Sequence, residues 1–288
     1  MKFNYKQIAV LSRTASPSPI LFLLVLVNSA RLPFVPRLFF IFPPSLGIAQ
    51  KLDSMDDYNI KLVGLGVVLW ATVFLLIRNI LPKRSFEFCN RLVSTIHATL
   101  AVTLALLSVE DWRCPVCPLA SKSSPLQMQT LAITVAYMIY DLVCCLFDKK
   151  DNLDNMVHHL VSIVGLGAGL AYEKCGSELV AAIWITEISS PFLHLRELLK
   201  ELGYRDTGLN FIADLLFAVI FSLARMGCGP YLTFVTLSAN NPVVIKAMAV
   251  GLQLVSAFWF YKIAKMSAKL ALNFNFRLSP SLTTDLGD

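Results

Sequence analysis

Two adjacent histidines, His158 and His159, are the residues of this sequence with the clearest capacity for chemistry. They open an apolar run, Val161 to Tyr172, and an acidic residue, Asp141, lies inside the apolar run before it. Ionisable side chains within membrane-length segments are costly and usually face a cavity, a bundle interior or a partner. This stretch is therefore the first place to look for a functional site.

An imidazole beside a carboxylate acts as a general base or as a nucleophile that accepts an acyl group. The run after the histidine pair supplies a second acid, Glu187, which shares a helical face with Ser190 and His194 because their spacing is i, i+3, i+7. We therefore predict a catalytic group that consists of His158, His159, Asp141 and Glu187.

Further polar residues are spread over the other apolar runs. At about 1.5 Å per helical residue, one half of the membrane receives His97, Asp141, His158, His159, His194 and Asp214. Asp214 and Arg225 are about 16 Å apart along their helix axis, so each needs a partner on another helix. Hydrogen-bonded packing is the alternative role for the single histidines. The predicted lipid-binding residues are His97, Ser190, His194, Asp214 and Arg225.

Metal binding is not favoured by the spacing of the candidate ligands. A metal site needs three or four convergent ligands, and the sequence has no His-x-x-x-His pair here. We expect no metal and no cofactor. Cys114 and Cys117 form a single Cys-x-x-Cys between the second and third runs, which is a weak zinc signal without a second pair. A local disulfide is the preferred interpretation in a lumenal loop.

The composition indicates a membrane protein. Hydrophobic residues make up 56% and charged residues 15% of the 288 residues, with a mean hydropathy of +0.64, which excludes an ordinary soluble domain. The net charge of +6 comes from residues 1–52, which hold six bases and no acid. The remainder is balanced, so we expect no nucleic-acid partner.

Seven apolar runs predict an all-α polytopic bundle, and they lie near 60–80, 92–109, 128–147, 157–172, 178–199, 209–235 and 243–264. The fourth is short, so we expect it to be tilted, kinked or extended on its N-terminal side. Gly227 to Pro230 should break the sixth or begin a re-entrant turn. Thirteen lysine and arginine residues lie in or near the loops on one side of the membrane, and five lie on the other side. This predicts a lumenal N-terminus, counted from Met55, and a cytosolic C-terminus.

The chain divides into three predicted parts. Residues 1–54 form a basic extension, residues 55–269 the membrane domain, and residues 270–288 a cytosolic tail. Three interpretations of the extension stay open: a signal peptide, an organellar transit segment, or a gene-model extension ahead of translation from Met55.

Four motifs resemble the TLC domain, the family of the translocating-chain-associated membrane protein, the ceramide synthases and a neuronal ceroid lipofuscinosis protein. They are Phe88–Ala98, Tyr137–Leu142, Val157–Leu160 and Glu187–Phe192. Within this family the chain is most similar to the TLC-domain-containing, transmembrane protein 56-like branch, particularly its plant members.

The resemblance implies six helices around a lipid-accommodating cavity, plus an additional helix. In ceramide synthases a histidine pair and two downstream aspartates line the acyl-transfer site. His158 and His159 match the pair, whereas Glu187 and Ser190 stand at the aspartate positions, so the second acid is missing. The homeobox-like insertion of many ceramide synthases is also missing.

We therefore expect a lipid-handling protein that binds an acyl chain or lipid and influences membrane lipid composition. Alternatives are an acyl-CoA-dependent acyltransferase of ceramide-synthase type and a trafficking or assembly partner of the endoplasmic reticulum. The resemblance implies location in that organelle. Expected partners are a membrane lipid or acyl-CoA and the bilayer, and oligomer formation stays open.

Overall fold

The computed structural model describes residues 57–147 and 153–278, with side chains over 58–147 and 153–265. Within these ranges the chain is helical. The helices are α1 (Asp57–Ile80), α2 (Phe86–Leu107), α3 (Pro125–Cys145), α4 (Leu153–Tyr172), α5 (Gly176–Glu187), α6 (Ser190–Glu201), α7 (Gly208–Phe221), a π-helical segment (Ser222–Cys228), α8 (Gly229–Ser238) and α9 (Val243–Leu278).

Five helical stretches among the described residues are long and apolar enough to cross a membrane. They are α1, α2, α3, the continuous stretch from α7 through α8, and α9 as far as Lys265. The predicted all-α membrane bundle is confirmed. The expected extension lies outside the described residues, and the expected boundary at residue 269 falls inside α9, which continues to Leu278.

The predicted fifth run, 178–199, is wrong as a single helix. It forms α5 and α6, each 12 residues long, separated by Ile188 and Ser189. Pro191 causes the interruption, because it has no N–H to donate to the carbonyl four residues earlier. The bend redirects α6, whose residues 190–201 are mostly half-buried or exposed.

Serine caps explain why two helices begin before their apolar runs. Ser85 accepts a hydrogen bond from the Phe88 amide at the start of α2. Ser124 forms a reciprocal capping box with Gln127 at the start of α3. The first turns are therefore polar, and hydropathy alone misses them. The fourth helix also begins early, at Leu153, in agreement with its expected N-terminal extension.

The break expected at Gly227 to Pro230 is also wrong. The helix continues through a π-helical segment, in which the Gly229 amide donates to the Ala224 carbonyl. In that i→i−5 register Pro230 would donate to the Arg225 carbonyl, and it has no N–H. Gln253 of α9 supplies the missing donor, at 3.3 Å from its Nε2 to that carbonyl. The chain therefore stays helical across the proline.

Helix α3 lies inside the bundle and contacts α1, α2 and α4. The α1–α3 contact is close because Gly66 faces Ala136: a Cβ added at Gly66 would lie 2.6 Å from the Ala136 Cβ. Trp70, Phe74 and Tyr140 continue the same contact as buried aromatic residues. The position of α3, which carries Asp141, depends on this packing.

One end of the bundle is closed by the α2–α3 connection. Its backbone pairs with the α4–α5 turn through Ser123 N to Glu173 O, at 2.9 Å, and Cys175 N to Ser121 O, at 2.8 Å. The same connection contains a disulfide between Cys114 and Cys117. The two connections therefore form one layer at this end.

Substitution of Gly66 tests the close α1–α3 contact. We expect Gly66→Ala to cost about 1–3 kcal/mol of stability, because the added methyl group meets Ala136. Thermal unfolding in detergent should show a lower Tm. Gly64→Ala is the matched control on the same helix, since nothing lies within 4 Å of its added Cβ. Equal Tm values for the two variants would contradict the packing described here.

Candidate functional site

Asp141 is the centre of a hydrogen-bond chain that links three helices. Its Oδ2 lies 3.1 Å from His159 Nε2 of α4, and its Oδ1 accepts from Asn90 Nδ2 of α2 at 2.8 Å. The Tyr140 hydroxyl donates to Asn90 Oδ1 at 2.7 Å, which fixes the orientation of the amide. Both carboxylate oxygens therefore have partners, as a buried charge requires.

The two adjacent histidines differ in what their ring nitrogens contact. His159 Nε2 faces Asp141, and its Nδ1 lies 3.1 Å from the Met138 sulfur. His158 Nδ1 is buried and has no hydrogen-bond partner among the described residues. The His158 ring lies against Trp259 of α9, with centroids 5.0 Å apart. Of the two adjacent histidines, His158 is therefore the one with an unpartnered ring nitrogen among the described residues.

Arg225 lies in the π-helical segment and is 4% exposed. Its guanidinium stands between the rings of Phe221 and Trp259, at 5.1 and 5.3 Å from their centroids. Nη2 donates to the Thr186 carbonyl of α5. Nε and Nη1 are buried and have no partner among the described residues. The guanidinium is positioned, but its hydrogen-bonding capacity is only partly used.

Glu187 does not orient either histidine. It is buried and close enough to Arg225, Ser190 and His159 for electrostatic interaction. No ion pair within 4.0 Å joins it to a base in the described part of the chain. The catalytic prediction offered Asp141 or Glu187 as the orienting acid, and the geometry favours Asp141.

The predicted residues Ser190, His194 and His97 lie beside the polar layer that Asp141, His158, His159 and Arg225 form. The Ser190 hydroxyl donates to the Thr186 carbonyl, four residues earlier in the chain, at 3.4 Å. His194 Nδ1 is buried without a partner among the described residues. His97 stacks on Tyr137, with ring centroids 3.6 Å apart, and meets Trp70 edge-on at 5.5 Å. Neither ring nitrogen of His97 has a hydrogen-bond partner among the described residues, so its contacts are aromatic only and differ from the hydrogen-bonded packing offered as the alternative. Its lipid-binding role stays a prediction.

Asp214 lies outside the polar layer. Its side chain is 38% exposed and pairs with Arg196 Nε of α6 at 3.1 Å. Glu197 accepts from the same Arg196 nitrogen and from Lys200. Counting residues along the chain put Asp214 with the buried groups, whereas the structure pairs it with Arg196 of α6 at a partly exposed position. A lipid-binding role for Asp214 stays a prediction.

A cavity adjoins the polar layer between α3, α4, α5, α8, α9 and the π-helical segment. The cavity volume is about 80 Å³, so the space is narrow. Most lining residues are apolar, and the charged groups among the described lining residues are Arg225 and Glu178.

Met138 separates this cavity from the histidine pair. It lines the cavity, and its sulfur contacts His159 Nδ1. Trp259 contacts both Arg225 and His158. One thioether and one indole ring therefore stand between the cavity and the two imidazoles. None of the four predicted catalytic residues lines the cavity itself.

Glu178 closes the other end of the cavity. It is 1% exposed, and its Oε1 accepts from the Ala120 amide at 2.7 Å and from Asn241 Nδ2 at 3.2 Å. The Cys175 thiol donates to Asn241 Oδ1 at 2.9 Å. Burial raises the pKa of Cys175 to about 12, with a smaller contribution from Glu178, so the thiol stays protonated and able to donate.

Sequence reasoning missed Asn90, Met138, Glu178 and Trp259. Asn90 had a usable signal, because it lies seven residues before His97 and thus on the same face of α2. Met138 and Trp259 had none, since apolar residues in apolar runs look like ordinary core.

Three potential metal ligands also lie together. Ligand atoms of Asp141, Cys145 and His159 are all within 4.8 Å of one another. The Asp141 and His159 atoms are already hydrogen-bonded to each other, and three ligands are fewer than a structural zinc site uses. The carboxylate–imidazole pair accounts for the geometry without a metal, so we base no step on one.

Removal of Asp141 should destabilise the protein far more than removal of Asp214. Asp141→Ala leaves Asn90 and His159 buried without their acceptor, at a cost of about 3–5 kcal/mol. Asp214→Ala removes a half-exposed ion pair worth about 0–1 kcal/mol. Thermal unfolding of the two variants in detergent measures the difference. Similar losses would mean that Asp141 does not hold the three helices together.

Comparison with known proteins agrees with this architecture. The TLC domain family model matches residues 87–265, a range that includes α2 through most of α9. The chain is 26% identical over 152 residues to a putative TLC domain-containing protein of Acanthamoeba polyphaga mimivirus, covering 49% of this chain and 73% of the relative.

Two cellular relatives are similar over a comparable region. TLC domain-containing protein 4 C of Dictyostelium discoideum is 28% identical, with 50% of this chain and 53% of the relative covered. TLC domain-containing protein 1 of Mus musculus is 24% identical, with 53% and 62% covered. The chain thus spans about half to three quarters of these relatives. With the family model matching most of its helical region, the chain belongs to the TLC domain family.

Proposed function

We propose that this protein binds an acyl chain or a single-chain lipid within its helical bundle and thereby influences membrane lipid composition. The observation that carries the proposal is the narrow cavity beside the buried polar layer. Ligand sites are typically concave and apolar with a few convergent polar groups. An apolar channel with one guanidinium at its edge has that character.

The shape and lining of the cavity support a chain-like ligand. A cavity this narrow suits a flexible hydrocarbon chain better than a ring system or a bulky head group. The lining contains six small hydroxyl residues, Thr134, Ser162, Thr186, Thr233, Thr236 and Ser256. Three of them, Thr134, Thr186 and Ser256, donate to carbonyls of their own helices at 2.8, 2.8 and 2.9 Å. The lining therefore offers contact to hydrocarbon with few competing hydrogen bonds.

A second candidate function is acyl transfer from acyl-CoA, and the Asp141–His159 pair favours it. In this reaction His158 Nδ1 attacks the thioester carbonyl, the carbon–sulfur bond breaks, and the CoA thiolate leaves and takes up the imidazole proton. An amine then attacks the acyl carbonyl, the carbon–nitrogen bond to His158 breaks, and the amine proton returns to the imidazole. Asp141 holds His159, whose ring lies 5.5 Å from that of His158.

The proposal also includes the organelle and the orientation of the protein in the membrane. We place the protein in the endoplasmic reticulum, with the end of α9 on the cytosolic side, on the basis of loop charge and family resemblance. In this orientation the histidine pair at the start of α4 lies in the cytosolic half, where acyl-CoA is present. The resemblance to the transmembrane protein 56-like branch is the reason for proposing a role in membrane lipid composition.

Filling the cavity tests lipid binding. Ala182 lines the cavity, and we expect Ala182→Phe to abolish co-purification of lipid in native mass spectrometry and lipid extraction. Val219→Phe is the matched control, because Val219 is 47% exposed on the outer face of α7. Lipid retained equally in wild type and Ala182→Phe would overturn the proposal and favour a trafficking or assembly role.

Acyl transfer is tested by incubating the purified protein with palmitoyl-CoA and an acceptor amine. If His158 reacts, intact-mass analysis should show an acyl adduct, and His158→Ala should lower transfer by about 10²–10⁴-fold. Asp214→Asn, outside the polar layer, is the control. If the wild-type protein forms no adduct and transfers no acyl group but retains bound lipid, acyl transfer is excluded and lipid binding stays as the function.

A further inference from the structure

Arg225 has the features of a ligand-recognition group and no structural partner that accounts for them. It is more than nine-tenths buried, lines the cavity, and leaves Nε and Nη1 without partners among the described residues. A buried guanidinium in this state lacks hydrogen bonds that it would make in water. Among the described residues its one hydrogen-bond acceptor is the Thr186 carbonyl, and Glu187 acts on it electrostatically. The two remaining nitrogens can donate to a ligand with acceptor oxygens.

The backbone at Arg225 is arranged to present this side chain. π-Helical turns are rare and frequently occur at functional sites. Here the π-helical segment keeps the Arg225 carbonyl bonded to Gln253 despite Pro230, and two aromatic rings flank the guanidinium. The two rings stabilise the cation without using any of its N–H groups.

The charge available at this end of the cavity selects a singly charged head group. Arg225 is the one basic residue among the described lining residues. Glu187 interacts with it electrostatically without forming a direct ion pair. A phosphate monoester carries nearly two charges and is usually held by several donors or cations. A carboxylate matches one guanidinium in charge.

We propose that the ligand of the cavity is a long-chain fatty acid whose carboxylate accepts from an unpartnered N–H group of Arg225, at Nη1 or at Nε. This inference rests on the proposed lipid-binding function and specifies its head group. The hydrocarbon chain follows the apolar lining away from Arg225. The carboxylate then lies beside Trp259, one ring from His158.

Glu178 fixes the direction of the chain. It lies eight residues before Thr186 on α5, hence about 12 Å from the Arg225 end along the helix. Both of its hydrogen bonds are accepted by Oε1, and its Oε2 is buried without a partner among the described residues, so a second carboxylate would meet an unpartnered oxygen there. An acid head is therefore bound at the Arg225 end and excluded at the Glu178 end, and the methyl end of the chain points toward Glu178 and Thr236.

The test measures binding of tritiated palmitate to delipidated full-length protein in nanodiscs, with methyl palmitate, hexadecanol and palmitoyl lysophosphatidate as competitors. We expect unlabelled palmitate to compete at least about tenfold better than the ester or the alcohol, since hydrogen bonds to a charged group contribute that much. In Arg225→Gln this preference should disappear. Arg196→Gln, at the bundle edge, is the matched control and should keep it.

The wild-type competition is decisive even if Arg225→Gln does not fold. Equal competition by palmitate and methyl palmitate, or stronger competition by lysophosphatidate, would overturn the carboxylate assignment while leaving lipid binding intact. If wild type and Ala182→Phe bind none of the probes, the proposed function itself fails.

Orientation has a separate readout. A palmitate analogue with a diazirine at its methyl end should label the segment around Glu178 and Thr236 on irradiation. Labelling of the π-helical segment instead would contradict the direction of the chain.

Discussion

The buried carboxylate of Asp141 is the constraint on which the site depends. A charge inside a membrane bundle must be neutralised or fully hydrogen-bonded, and Asp141 obtains its partners from two neighbouring helices, Asn90 of α2 and His159 of α4. Each bond fixes the rotation of the helix that supplies it. The orientation of α4 then places His158 against Trp259, so the geometry of the whole polar layer follows from one acid.

Sequence reasoning recovered the parts of this arrangement that depend on local patterns. Apolar length predicted the spanning helices, and counting residues put Asp141 and His159 in one layer, where the structure places them 3.1 Å apart. Their catalytic role stays a prediction. Serine caps were readable in principle, but they contribute polar first turns that a hydropathy pattern leaves out.

The remaining features depend on contacts between distant helices. Pro230 suggested a break, because no local pattern shows that Gln253, more than twenty residues later, donates to the Arg225 carbonyl. Counting residues along its own helix placed Asp214 among the buried groups. Its partner, Arg196, lies on a different helix, so no local pattern could predict that pair. Met138 and Trp259 have meaning only once the cavity and the histidines are seen on either side of them.

The layer formed by the α2–α3 connection and the α4–α5 turn has a consequence for transport. Ser123, Cys175 and Glu178, all buried, lie across the end of the cavity away from Arg225. In the lipid-binding proposal, a chain held in the cavity meets this layer at one end, so its entry and exit lie elsewhere in the bundle.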